Sequence, residues 1–308
     1  MDQQAAKSRL KAGDGAAITA IGLIIVATTL FSGLDTAAKY LVTYGGMPVE
    51  QVVWVRFAAQ FLGMLVLVPI LGGMGIKQMF VTSAPWLQIA RSILMALTSV
   101  FNFLAVKYLR LDQTITIMFL APLLVALLAG PVLGEWIGWR RMVSILIGFA
   151  GVMIVVRPGL SEFNIGVLYS LGAMVALSGF ILLTRKLAGR DPAMVTLMYS
   201  MIVGVVAFAP HAIVNGNWDG NALFWGLMIS LGVLGGVGHY LFILAYKHVE
   251  TSFLSPYLYV QIIGMITLGF LVFGDVPDVW TIAGSLVIVS SGLYVYHREH
   301  AKRTEQCE

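Results

Sequence analysis

Charge is scarce in this chain. Asp, Glu, Lys and Arg make up only 11% of its 308 residues, against about 25% in an ordinary soluble domain. No water-facing surface for a chain of this size can be built from so few charges, so most of it must face lipid or other apolar helices. Cysteine is scarcer still. The one thiol, Cys307, lies in the C-terminal tail, which excludes an intrachain disulfide and suggests no metal cluster. Long polar stretches are missing as well. No loop is long enough for a soluble catalytic or nucleotide-binding module, and no phosphate-cradling Gly-Lys-Ser/Thr motif occurs. His211, His239, His248, His297 and His300 show no metal-ligand spacing, and no intramembrane carboxylate pair appears. A membrane-embedded enzyme is therefore not expected, nor a metal site, nor a cofactor. The net charge of +4 sits in short loops and at the termini, so it does not argue for nucleic acid.

What the chain has in abundance is apolar sequence. Hydrophobic residues make up 59%, and mean hydropathy is +0.89. A spanning helix needs about 20 mostly apolar residues. Ten runs qualify, near 17–42, 49–71, 86–106, 112–133, 142–157, 164–184, 192–214, 222–246, 252–273 and 279–296. The fifth is short. The first is too long for a signal-peptide core and lacks a small-residue cleavage site, so it reads as a retained span. Turn residues punctuate the loops: Gly45-Gly46-Met47-Pro48, Gly72-Gly73, Arg157-Pro158-Gly159, Asp191-Pro192 and Asp275-Val276-Pro277-Asp278. Thirteen basic residues fall on the side of the N-terminus, from Lys7, Arg9 and Lys11 through Lys77, Arg140 and Arg185 to Arg303. Only Lys107, Arg110 and Arg157 fall on the other. The positive-inside rule then puts both termini in the cytoplasm, which an even number of spans also requires.

The chain resembles itself at a distance. Ala105-Val106-Lys107-Tyr108 aligns with Ala245-Tyr246-Lys247-His248 at an offset of 140, and Gly134-Glu135 with Gly274-Asp275. Ser144 and Gly151 meet Ser285 and Gly292 at 141, while Ser32-Gly33 and Lys39 meet Ser178-Gly179 and Arg185 at 146. Each copy holds an odd number of spans, so the copies cross a membrane in opposite senses. That is the inverted-repeat plan of secondary transporters, with a substrate site near the midplane.

Several stretches carry a family likeness. They are Ala105-Val106-Lys107-Tyr108-Leu109, Leu120-Ala121-Pro122-Leu123-Leu124, Leu133-Gly134-Glu135 and Ile147-Gly148-Phe149-Ala150-Gly151-Val152, with Phe273-Gly274-Asp275 and Gly292-Leu293-Tyr294-Val295 in the second copy. They resemble the EamA-type module of the drug/metabolite transporter superfamily. The resemblance implies an all-α membrane protein of ten transmembrane helices, arranged as two inverted five-helix repeats around a central cavity. The first repeat would run over 17–157 and the second over 164–296, with cytoplasmic tails 1–16 and 297–308. Such proteins move amino acids, metabolites, nucleotide-sugars or drugs. One departure stands out: Pro122 of the fourth span aligns with Ile262, beside Gln261, while Pro256 sits earlier in the ninth. A backbone break in the fourth span is thus not expected at the same place in the ninth.

Charge inside a bilayer needs a partner or a purpose. Asp35 and Lys39 lie four apart on one helix face and are expected to pair, either as a structural ion pair or at the border of the cavity. Asp35 is also the acidic residue placed deepest in a span, which makes it the candidate proton carrier. Arg56 is suited to bidentate capture of a carboxylate, or else anchors its span end or pairs with Asp35. Arg91 reads as a snorkelling anchor. Ser99, Asn102, His239, Tyr240, Tyr257 and Gln261 are mid-span polar groups that must face protein or a wet cavity. Tyr257 and Gln261, four apart, share a helix face. Glu135 and Asp275 read as interfacial residues binding loop amides, or as gates. Glycines Gly148, Gly151, Gly232, Gly235, Gly236 and Gly238 mark close helix contacts, with a sliding surface as the alternative. Together these residues describe a polar, aromatic-walled cavity for a small-molecule substrate. The expected function is secondary transport of small polar organic solutes, amino acids or related metabolites, more in the sense of export. Its setting is a lipid bilayer of inner-membrane type, with protons as the candidate coupling ion. A passive facilitator or channel is the alternative.

Overall fold

The computed structural model describes residues 2–70, 74–134, 138–157, 164–187, 190–248 and 255–307, with side chains undescribed before residue 18, after 294 and at 67, 133, 140–141, 193, 243, 246–248 and 255–256. All regular structure among these residues is helical. The helices are α1 (Asp2–Thr43), α2 (Val49–Ile70), α3 (Pro85–Tyr108), α4 (Leu111–Met118), α5 (Ala121–Leu133), α6 (Trp139–Val156), α7 (Ile165–Leu187), α8 (Ala193–Asn215), α9 (Ala222–His248), α10 (Val260–Leu268) and α11 (Val279–Cys307). Short 3-10 turns cover Ile76–Phe80 and Ser255–Tyr259, and a π-helical turn covers Gly269–Phe273.

Among the described residues each apolar run of the sequence falls largely on helix. Seven stretches are individually long and apolar enough to cross a membrane: Ile18–Thr43, Val49–Ile70, Pro85–Tyr108, Leu111–Val132, Ile165–Leu187, Met194–Asn215 and Ala222–Phe242. Met142–Val156, Tyr257–Phe273 and Val279–Tyr294 are shorter apolar helices. Large apolar side chains such as Leu62, Val66, Val206, Ile229 and Leu286 are exposed on the outer surface. In water that would be costly. In a bilayer it is the surface lipid requires.

The fourth span breaks where Pro122 predicts. Phe119 and Leu120 form a turn between α4 and α5, with Pro122 in the first turn of α5 where its missing N–H costs nothing. A break at the same place in the ninth span is not expected from the sequence, and the structure differs. There the helix changes from the 3-10 turn Ser255–Tyr259 to α10 at Val260, and the repeat offset of 140 carries Leu120 onto that residue. Pro122 opens one break, whereas a 3-10 turn containing Pro256 makes the other, so alignment of prolines alone conceals it. Phe119 and Tyr259 meet edge to face across the two breaks, centroids 4.9 Å apart. The broken helices end alike. Gly134 and Gly274 adopt left-handed conformations at φ 77° and 71°, and each amide bonds back to the carbonyls four and five residues earlier. A side chain at either φ would strain the backbone.

Two cores hold the helices together. One gathers residues of α1, α2, α3, α8 and α9, among them Leu34, Leu41, Phe57, Phe103, Met198 and Leu231. The other gathers α4, α5, α6, α7, α10 and α11 around Leu111, Leu120, Ile145, Met174, Met265 and Ile288. Each core mixes helices from both sequence repeats. The major pairings are α1 on α9, α3 on α7, α2 on α8 and α6 on α11, with α2 also on α9 and α3 on α8. Glycine sets several of these approaches. A Cβ on Gly284 would lie 2.6 Å from the Gly151 carbonyl oxygen, and one on Gly232 would lie 2.3 Å from the Ala59 Cβ. The packing role of these glycines is therefore explicit. In lipid such contact replaces the hydrophobic effect as the force between helices.

Candidate functional site

Asp35, Arg56, Ser99, Asn102 and His239 converge in the first core from four helices, α1, α2, α3 and α9. Asp35 is 9% exposed and Arg56 7%. Asn102 Nδ2 donates to Asp35 Oδ1 at 2.9 Å, and Arg56 Nη1 donates to Ser99 Oγ at 2.9 Å. Ser99 and Asn102 are three residues apart, hence on one face of α3. Asp35 and Arg56 are electrostatic neighbours, yet no ion pair joins them among the described residues. Arg56 Nε is buried without a hydrogen-bond partner. Its guanidinium lies 5.4 and 5.6 Å from the ring centroids of Phe57 and Phe103, so apolar walls surround the charge. His239 bonds the Gly235 carbonyl through Nδ1 at 2.8 Å and meets Phe31 edge to face at 4.9 Å.

The expected pairing of Asp35 with Lys39 does not occur. Lys39 reaches Asp275 instead, at 2.9 Å, and its Nζ lies 4.6 Å from the Phe273 centroid. A four-residue spacing permits a pair, but α1 meets the loop after the ninth span at Lys39, and Asn102 claims Asp35 first. Asp275 is thus an ion-pair partner rather than a ligand of loop amides. Arg91 is no snorkelling anchor either. It is buried and donates to Thr184 Oγ1, the Thr196 carbonyl and Ser200 Oγ, tying α3 to α7 and α8, and it lies 4.2 Å from the Phe180 centroid.

The remaining candidates divide. Gln261 is the second residue of α10, and its backbone carbonyl accepts from Ser32 Oγ at 3.3 Å. Among the described residues its side-chain amide makes no hydrogen bond, and it is only half-buried. Tyr257 lies in the 3-10 turn and packs with Ala20, Ile24 and Ala245. Ile24 is about 16 Å along α1 from Asp35 at the helical rise per residue, so Tyr257 stands apart from the cluster. Tyr240 is 46% exposed and leaves the cluster although His239 is its neighbour in sequence. Glu135 lies outside the described residues.

One residue joins that sequence reasoning passes over. Gln60 is buried one turn beyond Arg56, and its Oε1 lies 3.3 Å from where a Gly235 Cβ would stand. Its spacing of four from Arg56 is the available signal, but a lone glutamine in an apolar run carries little weight until its neighbours are known.

Residues 18–157 and 164–296 each match the EamA-like transporter family. The chain belongs to that family. It is a multi-pass membrane transporter of small molecules, not an enzyme. It is 27% identical to an S-adenosylmethionine uptake transporter of Rickettsia bellii, over 91% of this chain and 94% of the relative. A riboflavin transporter of Vibrio cholerae is 25% identical, over 91% and 93%. The pseudopaline exporter CntI of Pseudomonas aeruginosa is 24% identical, over 87% and 92%. A solved crystal structure superposes with TM-score 0.62 at 18% identity, covering 90% of this chain and 96% of its own. That likeness shows a shared fold.

Proposed function

We propose that this EamA-family chain is a secondary transporter of small polar organic solutes, working by alternating access of two inverted five-helix repeats. The observation that carries the reading is a buried cluster that holds both an acid and a base, Asp35 and Arg56, fed by four helices drawn from both repeats. Buried charges of this kind are costly in a membrane protein and mark a path for solute or ions. The packing supports an inverted repeat with ten spans. Exchanging the two sets of five spans maps α1 on α9 onto α7 on α3, and α2 on α9 onto α8 on α3. It leaves α2 on α8 and α6 on α11 as self-related pairs. Ser32 bonds the Gln261 carbonyl, and Ser178 bonds the Ala121 carbonyl, each at 3.3 Å. These are partners under the repeat offsets of 146 and 140.

In this reading Asp35, Arg56, Ser99, Asn102 and His239 line the substrate site, with Gln261 presented by the second broken helix. Lys39 borders it through Asp275. Tyr240 and Tyr257 lie outside it. The basic-residue asymmetry places both termini in the cytoplasm of an inner-membrane-type bilayer. Relatives named for uptake and for export both resemble the chain. Amino acids or related metabolites, moved outward and driven by protons, are the specific form of the proposal, with a passive facilitator as the second class. Purified protein in proteoliposomes decides it. Labelled amino acids, S-adenosylmethionine and riboflavin are offered with and without an imposed proton gradient. Gradient-driven accumulation of one of them supports the transporter reading, whereas equilibration alone makes the protein a facilitator. Asp35→Asn should abolish accumulation while leaving exchange. Full accumulation in that variant removes Asp35 from proton coupling.

A further inference from the structure

Asp35 and Arg56 present an arrangement that the transport reading does not explain. They are opposite charges, both more than nine-tenths buried, on adjacent helices and within electrostatic reach. In a medium of low dielectric such charges attract strongly and should close on each other. They do not. Asp35 is held by Asn102, and Arg56 by Ser99, two side chains on one face of α3.

The arrangement leaves specific atoms open. Arg56 spends Nη1 on Ser99. Among the described residues its Nε and Nη2 have no hydrogen-bond partner. Nε is sealed, so Nη2 is the donor a carboxylate can reach, in a charge-assisted bond. Asp35 accepts on Oδ1 and has no hydrogen bond on Oδ2 among the described residues. The Nε side of Arg56 packs against Gly235: a Cβ there would stand 3.1 Å from Leu34 Cδ1 and 3.8 Å from Nε, so the glycine is what lets α9 come this close, and Nε is sealed by protein. Gln60 Oε1 borders the same spot, 3.3 Å from that position.

We propose that Ser99 and Asn102 hold this ion pair open so that a dipolar solute completes it. The solute's carboxylate takes Nη2 of Arg56, and its ammonium takes Oδ2 of Asp35. Ser99 and Asn102 are positioning residues. Gln60 is a further contact, its amide oxygen accepting from the ammonium. This rests on the transport reading above and narrows it to one class of substrate head group. A solute with one of the two charges leaves the other protein charge buried and unmatched, which is how the site rejects it.

The test uses the full chain, purified and in lipid nanodiscs. Thermal stability is followed with each of the twenty free L-amino acids, then with the methyl ester and N-acetyl derivative of every responder. Stabilisation by a free amino acid, with at least tenfold weaker response to both derivatives, is the expected result. Equal response to either derivative overturns the assignment, and so does the absence of any responder. If an uncharged solute is moved in proteoliposomes meanwhile, the transporter reading stands and only this inference falls. Asn102→Leu and Ser99→Ala separate positioning from ordinary packing. Each should let the two charges close, so the ligand-free melting temperature stays level or rises while affinity falls at least tenfold. Affinity within twofold of the parent overturns the proposal. A loss of affinity accompanied by a clear fall in ligand-free melting temperature also overturns it, because that is the behaviour of a structural hydrogen bond.

Discussion

The two ends of the bundle do the same mechanical job with different chemistry. At the end where α1 finishes, the halves are strapped by charge against charge. Lys39 binds Asp275 at 2.9 Å, and Arg157 binds Asp278 at 2.9 Å. Arg110 holds Asp112 beside them at 3.0 Å. At the end where α3 begins, the strap is a single carboxylate with uncharged partners. Asp191 accepts from Thr82, from the amide and hydroxyl of Ser83, and from Gln88. The three ion pairs just named all lie at the first end. The difference decides how each end fails. Removing one member of a half-buried ion pair leaves a charge without a partner, whereas removing Asp191 leaves neutral groups that water can satisfy.

The largest expected effect therefore belongs to the charged end. Lys39→Met should lower stability by about 2–3 kcal/mol, because Asp275 is left in a partly apolar site. Adding Asp275→Leu should recover more than half of that loss. A thermal-denaturation double-mutant cycle measures the coupling, and additive effects of the two changes would mean that Lys39 and Asp275 act separately.

A smaller effect is expected at the other end. Asp191→Ala should cost about 1 kcal/mol, since its hydrogen bonds are charge-assisted but partly screened by solvent. Burial tends to raise the Asp191 carboxyl, but the bonds from Ser83, Thr82 and Gln88 outweigh it and hold it well below the usual carboxylate range. A lowered native value stabilises the fold at every pH above the ordinary one, about 3.9, and that contribution fades as pH falls below it. Melting of the parent should thus show no Asp191-dependent change between pH 8 and pH 5. A parent–variant difference that shrinks across that range would show that the strap is protonated earlier than its bonds imply.

The smallest effect should be the same at both ends. Gly134→Ala and Gly274→Ala each place a side chain at positive φ, with nothing within 4 Å of the added Cβ. Strain alone operates, so each should cost about 0.5 kcal/mol. Unequal melting shifts would show that one of the two breaks tolerates local rearrangement and the other does not.

The repeat offsets bear on this comparison from the sequence side. An offset of 140 aligns Gly134 with Gly274 from the residues alone, and both prove to be left-handed helix caps. The same alignment of prolines misses the second break, because there a 3-10 turn passes into α-helix with no counterpart of Pro122. Spacing on one helix marks Asp35 and Lys39 as neighbours correctly and as partners wrongly. It reports which side chains share a face, not what the facing helix offers them. Arg91 misleads for the same reason. Its nearness to a span end suggests lipid headgroups, but α7 and α8 bring Thr184, Thr196 and Ser200 to it first. Tyr240 follows His239 directly, yet successive residues on a helix point about 100° apart, and only one of the two turns inward.

Composition and the apolar runs were enough to determine an all-helical membrane protein and where most of its helices lie. Those properties follow from local rules: lipid demands apolar surface and internally bonded backbone. The site was decided elsewhere. That Asp35 and Arg56 lie side by side and stay apart depends on α3 presenting Ser99 and Asn102 between α1 and α2. That α9 packs so close to Arg56 depends on Gly235, some 180 residues further along the chain. Contacts between helices distant in sequence are set by how whole surfaces pack, and no single stretch of sequence carries that information.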